Sequence, residues 1–467
     1  MNFTIQKILS STLPESFLQC AIELEEKVNN NNFTSWSFAN QNGCMSAYWA
    51  DEYSINNKKN NDNLHPCFDL SSLTKPFFIN LFFREKFKDD YIKILLNPLK
   101  EINIDLNKSG VNKNLLDHLI NHKNRYTLDS FLSHYSGAKK WFWMGSALWD
   151  QSNTYYDVLI NKKDKNFINK VKINLNNSVI KSFDNISYGN NCYSDVNYFL
   201  LARIVEDNFL DNNGWIGLIN FLNNNLNTNF YHSSIHLEKI NNFIPFYSYM
   251  SINKDEISLI KKNKFKYGFC NDNNANFLSY FRENSIVSGH AGFFGNIIDV
   301  KIAVKKLINS QRKILNSKNY ISKVNNQFVF GLDTPSKENS VSGIKDWDLY
   351  KNKVFGHLGY TGTSFWFCVD ENKNEQYHIL LTNRTAKRKK YGIKKCPRIF
   401  IYNEYTSCSK YFLLNENDFY ECSEEDVQSA LLESRKLSKI IWNYSDIKLA
   451  PNINELRINL AKKLWNI

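Results

Sequence analysis

Residues 69–75 read DLSSLTK, and the spacing inside this stretch suits nucleophilic chemistry. A serine hydroxyl is a poor nucleophile until a base takes its proton. On a helix, Ser72 and Lys75 lie one turn apart on the same face. A lysine can serve as the base if burial or a positive neighbour brings its pKa down from about 10.4 toward neutrality. Ser71 has Thr74 at the same offset, which cannot act as a base, so Ser72 is the candidate nucleophile. Ser71 is better placed to cap or precede the first turn. Alone, the pattern is weak, because Ser-x-x-Lys recurs at Ser136/Lys139 and Ser258/Lys261, among other places.

Two further stretches carry polar groups at turns. In NNCYSDVNYFLLARIVE (190–206), Tyr193, Ser194 and Asp195 precede an apolar helical pattern and can point into a cleft. The plainer alternative makes Asp195 an N-cap and Tyr193 a packing residue. In VFGHLGYTGTSFWF (354–367), Gly359 and Gly362 let a substrate backbone approach a strand, and His357 can donate a hydrogen bond or carry a proton near neutral pH. A glycine-rich edge or bulge reads the same way.

These groups need elements to hold them. LPESFLQCAIELEEKV (13–28) reads as a helix with Phe17, Ala21, Leu24 and Val28 on one face, Pro14 in its first turn and a Thr12–Glu15 capping box. TSWSFAN and CMSAYWA (34–50) read as a hairpin, and Leu73 to about Phe87 as a helix. Residues 352–385 read as consecutive strands, 386–398 as a basic loop, and 451–465 as an amphipathic helix. The simplest assembly is an α+β fold: an antiparallel β-sheet flanked by helices, with a large, mainly helical insertion. Residues 1–84 and 345–467 then form the sheet lobe, with 386–450 an unplaced insertion inside it, and 85–344 form the helical lobe.

Taken in order, the three stretches resemble the serine β-lactamase and penicillin-binding protein superfamily, in particular its β-lactamase-related, class C-like esterases and hydrolases. That family carries Ser-x-x-Lys, then Tyr-x-Asn or Ser-x-Asn, then Lys-Thr-Gly or His-x-Gly. Here the series is Ser72-Leu73-Thr74-Lys75, Tyr193-Ser194-Asp195 and His357-Leu358-Gly359. CFDLSSLTKPF, FLSHYSG (131–137), NANFLS with SGHAGFFG (274–295) and GHLGYTGTSFW are similar to the family's surrounding segments. The resemblance implies catalytic roles for Ser72, Lys75 and Tyr193, with substrate binding by Asp195, His357, Gly359 and Tyr360. It implies an oxyanion hole made by the N–H groups of Ser72 and Tyr360, and a covalent acyl-enzyme. The substrate would be a small ester, amide or peptide. Two departures bear on activity: Asp195 stands where many members have Asn, and His357 where many have a carboxylate-anchoring lysine. If His357 replaces that anchor, carboxylate-bearing substrates should bind better as it protonates near its ordinary pKa of about 6.5. A catalytically silent binding protein of the same fold is the alternative.

Composition narrows the remaining classes. Hydrophobic residues make up 43% of the chain, enough for a substantial core. The formal charge of +12 permits nucleic-acid contact, but the run Lys387–Lys395 lacks interleaved aromatics, so a solvated loop is the expectation there. Nine scattered cysteines without a Cys-x-x-Cys pair, no apolar run long enough for a bilayer and no secretion signal fit a reduced, cytoplasmic setting without membrane contact. His118/His122 and His232/His236 have metal-compatible spacing but no flanking glutamate or third ligand, so neither a metal nor a cofactor is expected. His290 reads more readily as a buried, satisfied histidine.

Overall fold

The computed structural model describes residues 3–30, 32–50, 64–102, 112–121, 126–145, 164–183, 189, 192–210, 213–236, 270–279, 281, 286–316, 327–335, 340–350, 353–369, 375–384, 396–404, 409–415, 418–437 and 451–465. His122 and the basic run 387–395 lie outside the described residues.

The fold is α+β and built on a large antiparallel sheet. Its strands are β1 (Trp36–Asn40), β2 (Gly43–Trp49), β6 (Phe328–Val329), β7 (Leu332–Asp333), β8 (Val354–Leu358), β9 (Ser364–Val369), β10 (Glu375–Thr382), β11 (Arg398–Glu404), β12 (Ser409–Asn415) and β13 (Asp418–Cys422). They lie in the order β13-β12-β11-β2-β1-β10-β9-β8-β7-β6. A second small sheet joins β3 (Phe68–Asp69) and β4 (Tyr231–His232) to either side of β5 (Phe293–Gly295).

Both faces of the large sheet are covered, which is why strands such as SFWFCV lack a polar alternation. The alternation instead sorts residues between two cores. Ala39, Phe365, Phe367, Ile379 and Leu381 face the helical insertion, whose Ile297–Leu315 helix packs there through Val300, Val304 and Leu307. Phe38, Met45, Leu380 and Phe400 face the other way, against Phe17 and Leu24 of the Glu15–Asn29 helix and Leu456 and Leu460 of the Asn454–Leu464 helix. Burying one such side chain contributes about 1.5–3 kcal/mol, so a one-residue slip in the register Phe38↔Leu380 would cost both cores at once.

Three details differ from the sequence reading. A separate helix, Phe3–Thr12, precedes Pro14, and the Thr12 hydroxyl donates within it to the Ile8 carbonyl, so no Thr12–Glu15 capping box forms. Residues 328–333, read as part of the helical lobe, are strands of the sheet. Part of the unplaced insertion extends the same sheet: β11 pairs with β2, β12 and β13 follow, and the Glu424–Leu437 helix caps that end with Val427 and Leu431 against Tyr48 and Ile399. Among the described residues, no helix is long and apolar enough to cross a membrane.

Candidate active site

Ser72 sits in a tight turn between β3 and the helix that follows. A 3-10 turn spans Ser71–Leu73, a wider π-helical turn spans Lys75–Asn80, and a regular helix runs Leu81–Phe87. Pro76 lacks an N–H and cannot close a regular first turn, which suits this irregular start. The turn is held from below. The buried Asp69 carboxylate accepts from the N–H groups of Ser71 (2.8 Å) and Asn271 (2.6 Å). The Thr74 hydroxyl donates to the Ser71 carbonyl (2.6 Å) and accepts from the Phe293 N–H (3.1 Å).

Lys75 is fully buried and points back at the nucleophile candidate. Its ammonium lies 3.1 Å from Ser72 Oγ, 3.2 Å from the His290 carbonyl and 2.7 Å from Asp195 Oδ1. The Tyr193 ring centroid is 4.8 Å from Lys75 Nζ. The first two motifs therefore converge. Ser194, not Asp195, caps the Asp195–Phe209 helix: its hydroxyl accepts from the Asn197 N–H and donates to the Lys139 carbonyl. That frees the Asp195 carboxylate to reach Lys75. The FLSHYSG segment steadies this turn, because His134 Nδ1 accepts from the Ser194 N–H and its ring lies 4.5 Å from that of Tyr193.

The third motif closes the site from the sheet. Arg457 donates to the carbonyls of Gly359 and Thr363, both at 2.8 Å. Thr361 and Thr363 donate to the carbonyls of Asp69 and Leu70. A Cβ on Gly359 would meet Thr363 Oγ1 at 2.0 Å, so only glycine allows this close approach. Tyr360 is partly exposed at the rim, with the Arg384 guanidinium 4.9 Å from its ring and the Tyr360 N–H donating to Ser71 Oγ (3.2 Å).

The electrostatics depart from the sequence expectation. Burial acts to lower the pKa of Lys75, but the Asp195 carboxylate and the Tyr193 phenol outweigh it and hold the ammonium above the ordinary lysine range. The lysine is therefore charged at rest, not poised near neutrality. Tyr193 is raised above its ordinary value by burial, against the pull of Lys75, and keeps its proton. His357 is buried, its Nδ1–H donates to the Leu358 carbonyl (2.9 Å), and burial together with the Lys75 charge lowers its pKa to about 3. It is neutral throughout the range in which a titrating carboxylate anchor was expected. Burial pushes Asp69 up to about 7 despite its two N–H donors.

Asp272 was not singled out in the sequence, whereas His290, read there as a buried and satisfied histidine, is buried with both ring nitrogens partnered. The Asp272 carboxylate accepts from His290 Nε2 (2.9 Å), whose Nδ1 contacts Ser288 Oγ (2.9 Å). Asp195, Asp272 and His290 each place a donor atom within 4.8 Å of the others, a spacing that could hold a cation. The Lys75 ammonium already supplies a positive charge against Asp195. The NANFLS and SGHAGFFG segments flagged this region, but nothing in the sequence paired Asp272 with His290. His232 spends Nε2 on the Ser288 carbonyl and Nδ1 on the Ser234 N–H, a structural arrangement.

No protein-family model matches the chain, and no curated protein matches it. Solved structures do. The chain is similar to EstCE1, a hydrolase with promiscuous acyltransferase activity, at 13% identity and a TM-score of 0.44, over 79% of this chain and 94% of that one. It is similar to the octameric penicillin-binding protein homologue from Pyrococcus abyssi, at 10% identity and a TM-score of 0.42, over 86% and 94%. It is also similar to a class C β-lactamase from Rhodobacter sphaeroides, at 10% identity and a TM-score of 0.41, over 79% and 94%.

Proposed function

We propose that the chain is a serine hydrolase that forms an acyl-enzyme on Ser72 and acts on a small ester, amide or peptide. The observation that carries this reading is the buried Lys75 ammonium, 3.1 Å from Ser72 Oγ. Ser72 Oγ adds to the carbonyl carbon, and the N–H groups of Ser72 and Tyr360 receive the carbonyl oxygen as it gains charge. Lys75 is charged at rest. It must first give its extra proton up to solvent; as the neutral amine it then takes the proton of Ser72 Oγ as that oxygen adds to the carbonyl carbon, and it returns the proton to Ser72 Oγ when the acyl group leaves. Tyr193, which holds its proton, donates to the leaving group as the carbon–leaving-group bond breaks. As tyrosinate it then takes a proton from the water that releases the acyl group. Gly359 lets the turn that carries the Tyr360 N–H close tightly on Thr363, and Asp195 and the neutral His357 line the site.

The second reading is a binding protein of the same fold without catalysis. It is favoured by the Lys75–Asp195 pair, which keeps the lysine charged. Covalent labelling separates the two. A fluorophosphonate probe is expected to label the wild type and not Ser72→Ala. Absence of labelling, or equal labelling of both proteins, would leave the binding reading.

A further inference from the structure

Ser71, beside the proposed nucleophile, has its backbone in the left-handed region at φ 49°, uncommon for a residue with a side chain. Two bonds hold that backbone: the Ser71 N–H donates to Asp69 Oδ1 (2.8 Å) and the Ser71 carbonyl accepts from the Thr74 hydroxyl (2.6 Å). The side chain so presented is buried, and its Oγ accepts from the Tyr360 N–H at 3.2 Å.

That N–H is singular in its turn. The neighbouring N–H groups bond inside the turn, Gly359 to the Thr363 carbonyl (2.7 Å) and Gly362 to the Gly359 carbonyl (3.1 Å). Tyr360 alone of these three turns its N–H toward the nucleophile segment. Arg457, Thr361 and Thr363 clamp the turn to its surroundings, so the N–H cannot easily swing to a new partner. The Ser71 hydroxyl can, since it moves by rotation about a single bond.

Building on the acyl-Ser72 reading, we infer that Ser71 is a positioning residue that caps the Tyr360 N–H in the resting site and gives it up when a substrate carbonyl arrives. The exchange is balanced: one hydrogen bond to Ser71 Oγ is broken and one to the carbonyl oxygen is made, with no proton transferred. Every substrate that uses this donor must displace the same hydroxyl. The displacement happens on binding, before bonds to carbon change, so it weighs on KM rather than on kcat.

The test is steady-state hydrolysis of p-nitrophenyl acetate by the wild type, Ser71→Ala and Ser71→Gly. Serine already carries a Cβ at this position, so alanine removes the hydroxyl and leaves the left-handed backbone with the same burden. Glycine removes the hydroxyl and that burden together. KM is expected to fall about 2- to 10-fold in both variants, the worth of one neutral hydrogen bond, with kcat unchanged. Exchange of the Tyr360 amide proton with D2O should quicken in Ser71→Ala. Unchanged KM, a loss of kcat in Ser71→Ala, or an effect confined to Ser71→Gly would overturn the cap while leaving the acyl-Ser72 reading intact. Absence of any Ser72-dependent turnover in the wild type would overturn both.

Discussion

The chain buries a lysine against a carboxylate on the insertion side of the sheet, and an arginine against a carboxylate on the other side. Both contacts measure 2.7 Å. Arg398 meets Glu25 with two parallel bonds (2.8 and 2.7 Å), its remaining nitrogen donates to the Thr34 carbonyl (2.9 Å), and the Trp36 indole N–H also donates to Glu25 (2.7 Å). Every strong polar atom there has a partner, and arginine does not release its proton in a protein. That pair fastens the Glu15–Asn29 helix to β11. Lys75 has a compact ammonium that can change charge, one of its contacts is a hydroxyl, and its partner Asp195 keeps 19% of its side chain exposed. On the acyl-Ser72 reading it is the lysine pair that serves the chemistry, because its cation can change charge and one of its contacts is a hydroxyl that can react.

The largest expected effect lies on the structural side. Glu25→Ala leaves the Arg398 charge buried without its partner and should cost about 3–5 kcal/mol of stability, as measured by urea unfolding. A variant as stable as the wild type would mean that the two pairs do not differ as described.

On the site side, Lys75→Met should lower the rate of fluorophosphonate labelling at Ser72 by at least about 100-fold. Its unfolding midpoint should move far less than that of Glu25→Ala. Asp195→Asn removes the main charge that holds the ammonium up, so burial should then dominate and lower the lysine pKa. The pH profile of labelling should move to lower pH, and the neutral fraction of lysine at pH 7 should rise about tenfold for every pH unit that the profile moves. A profile that stays in place would show that Asp195 does not set the charge of Lys75.

The smallest effect concerns His357. With its pKa lowered to about 3 by burial, it gains no charge between pH 5.5 and 8. The affinity for a carboxylate-bearing β-lactam should therefore show the same pH dependence in the wild type and in His357→Gln. The sign for stability follows from the same lowering. The folded pKa lies below the ordinary 6.5, so the contribution of His357 is present above pH 6.5 and is lost as the pH falls toward 3. Binding that strengthens on acidification only in the wild type would restore a charged anchor.

Much of the fold was legible. The hairpin over Trp36–Trp49, the three strands between Val354 and Thr382 and the closing helix Asn454–Leu464 follow from period-2 and period-3.6 patterns that local side chains impose. The short strands Phe328–Val329 and Leu332–Asp333 were missed because two residues carry no period. The cap at Pro14 was misread because Thr12 found a carbonyl inside its own helix, a competition that a pattern of residue types cannot resolve. Within the site, Ser72 and Lys75 were readable because their meeting depends only on an offset of three. The Asp272–His290 contact was not, since residues 18 apart in the chain share no such offset.

The sequence by itself determined the longer patterned elements, the reactive types and the order of the three motifs, since each rests on neighbours within a few positions. Tertiary structure alone decided the state of those groups. It set Asp195 against Lys75 and fixed its charge, buried His357 and kept it neutral, and brought the Tyr360 N–H to a hydroxyl 289 positions earlier in the chain. Protonation and hydrogen-bond occupancy depend on desolvation and on charges within a few ångströms, and only the folded chain sets those distances.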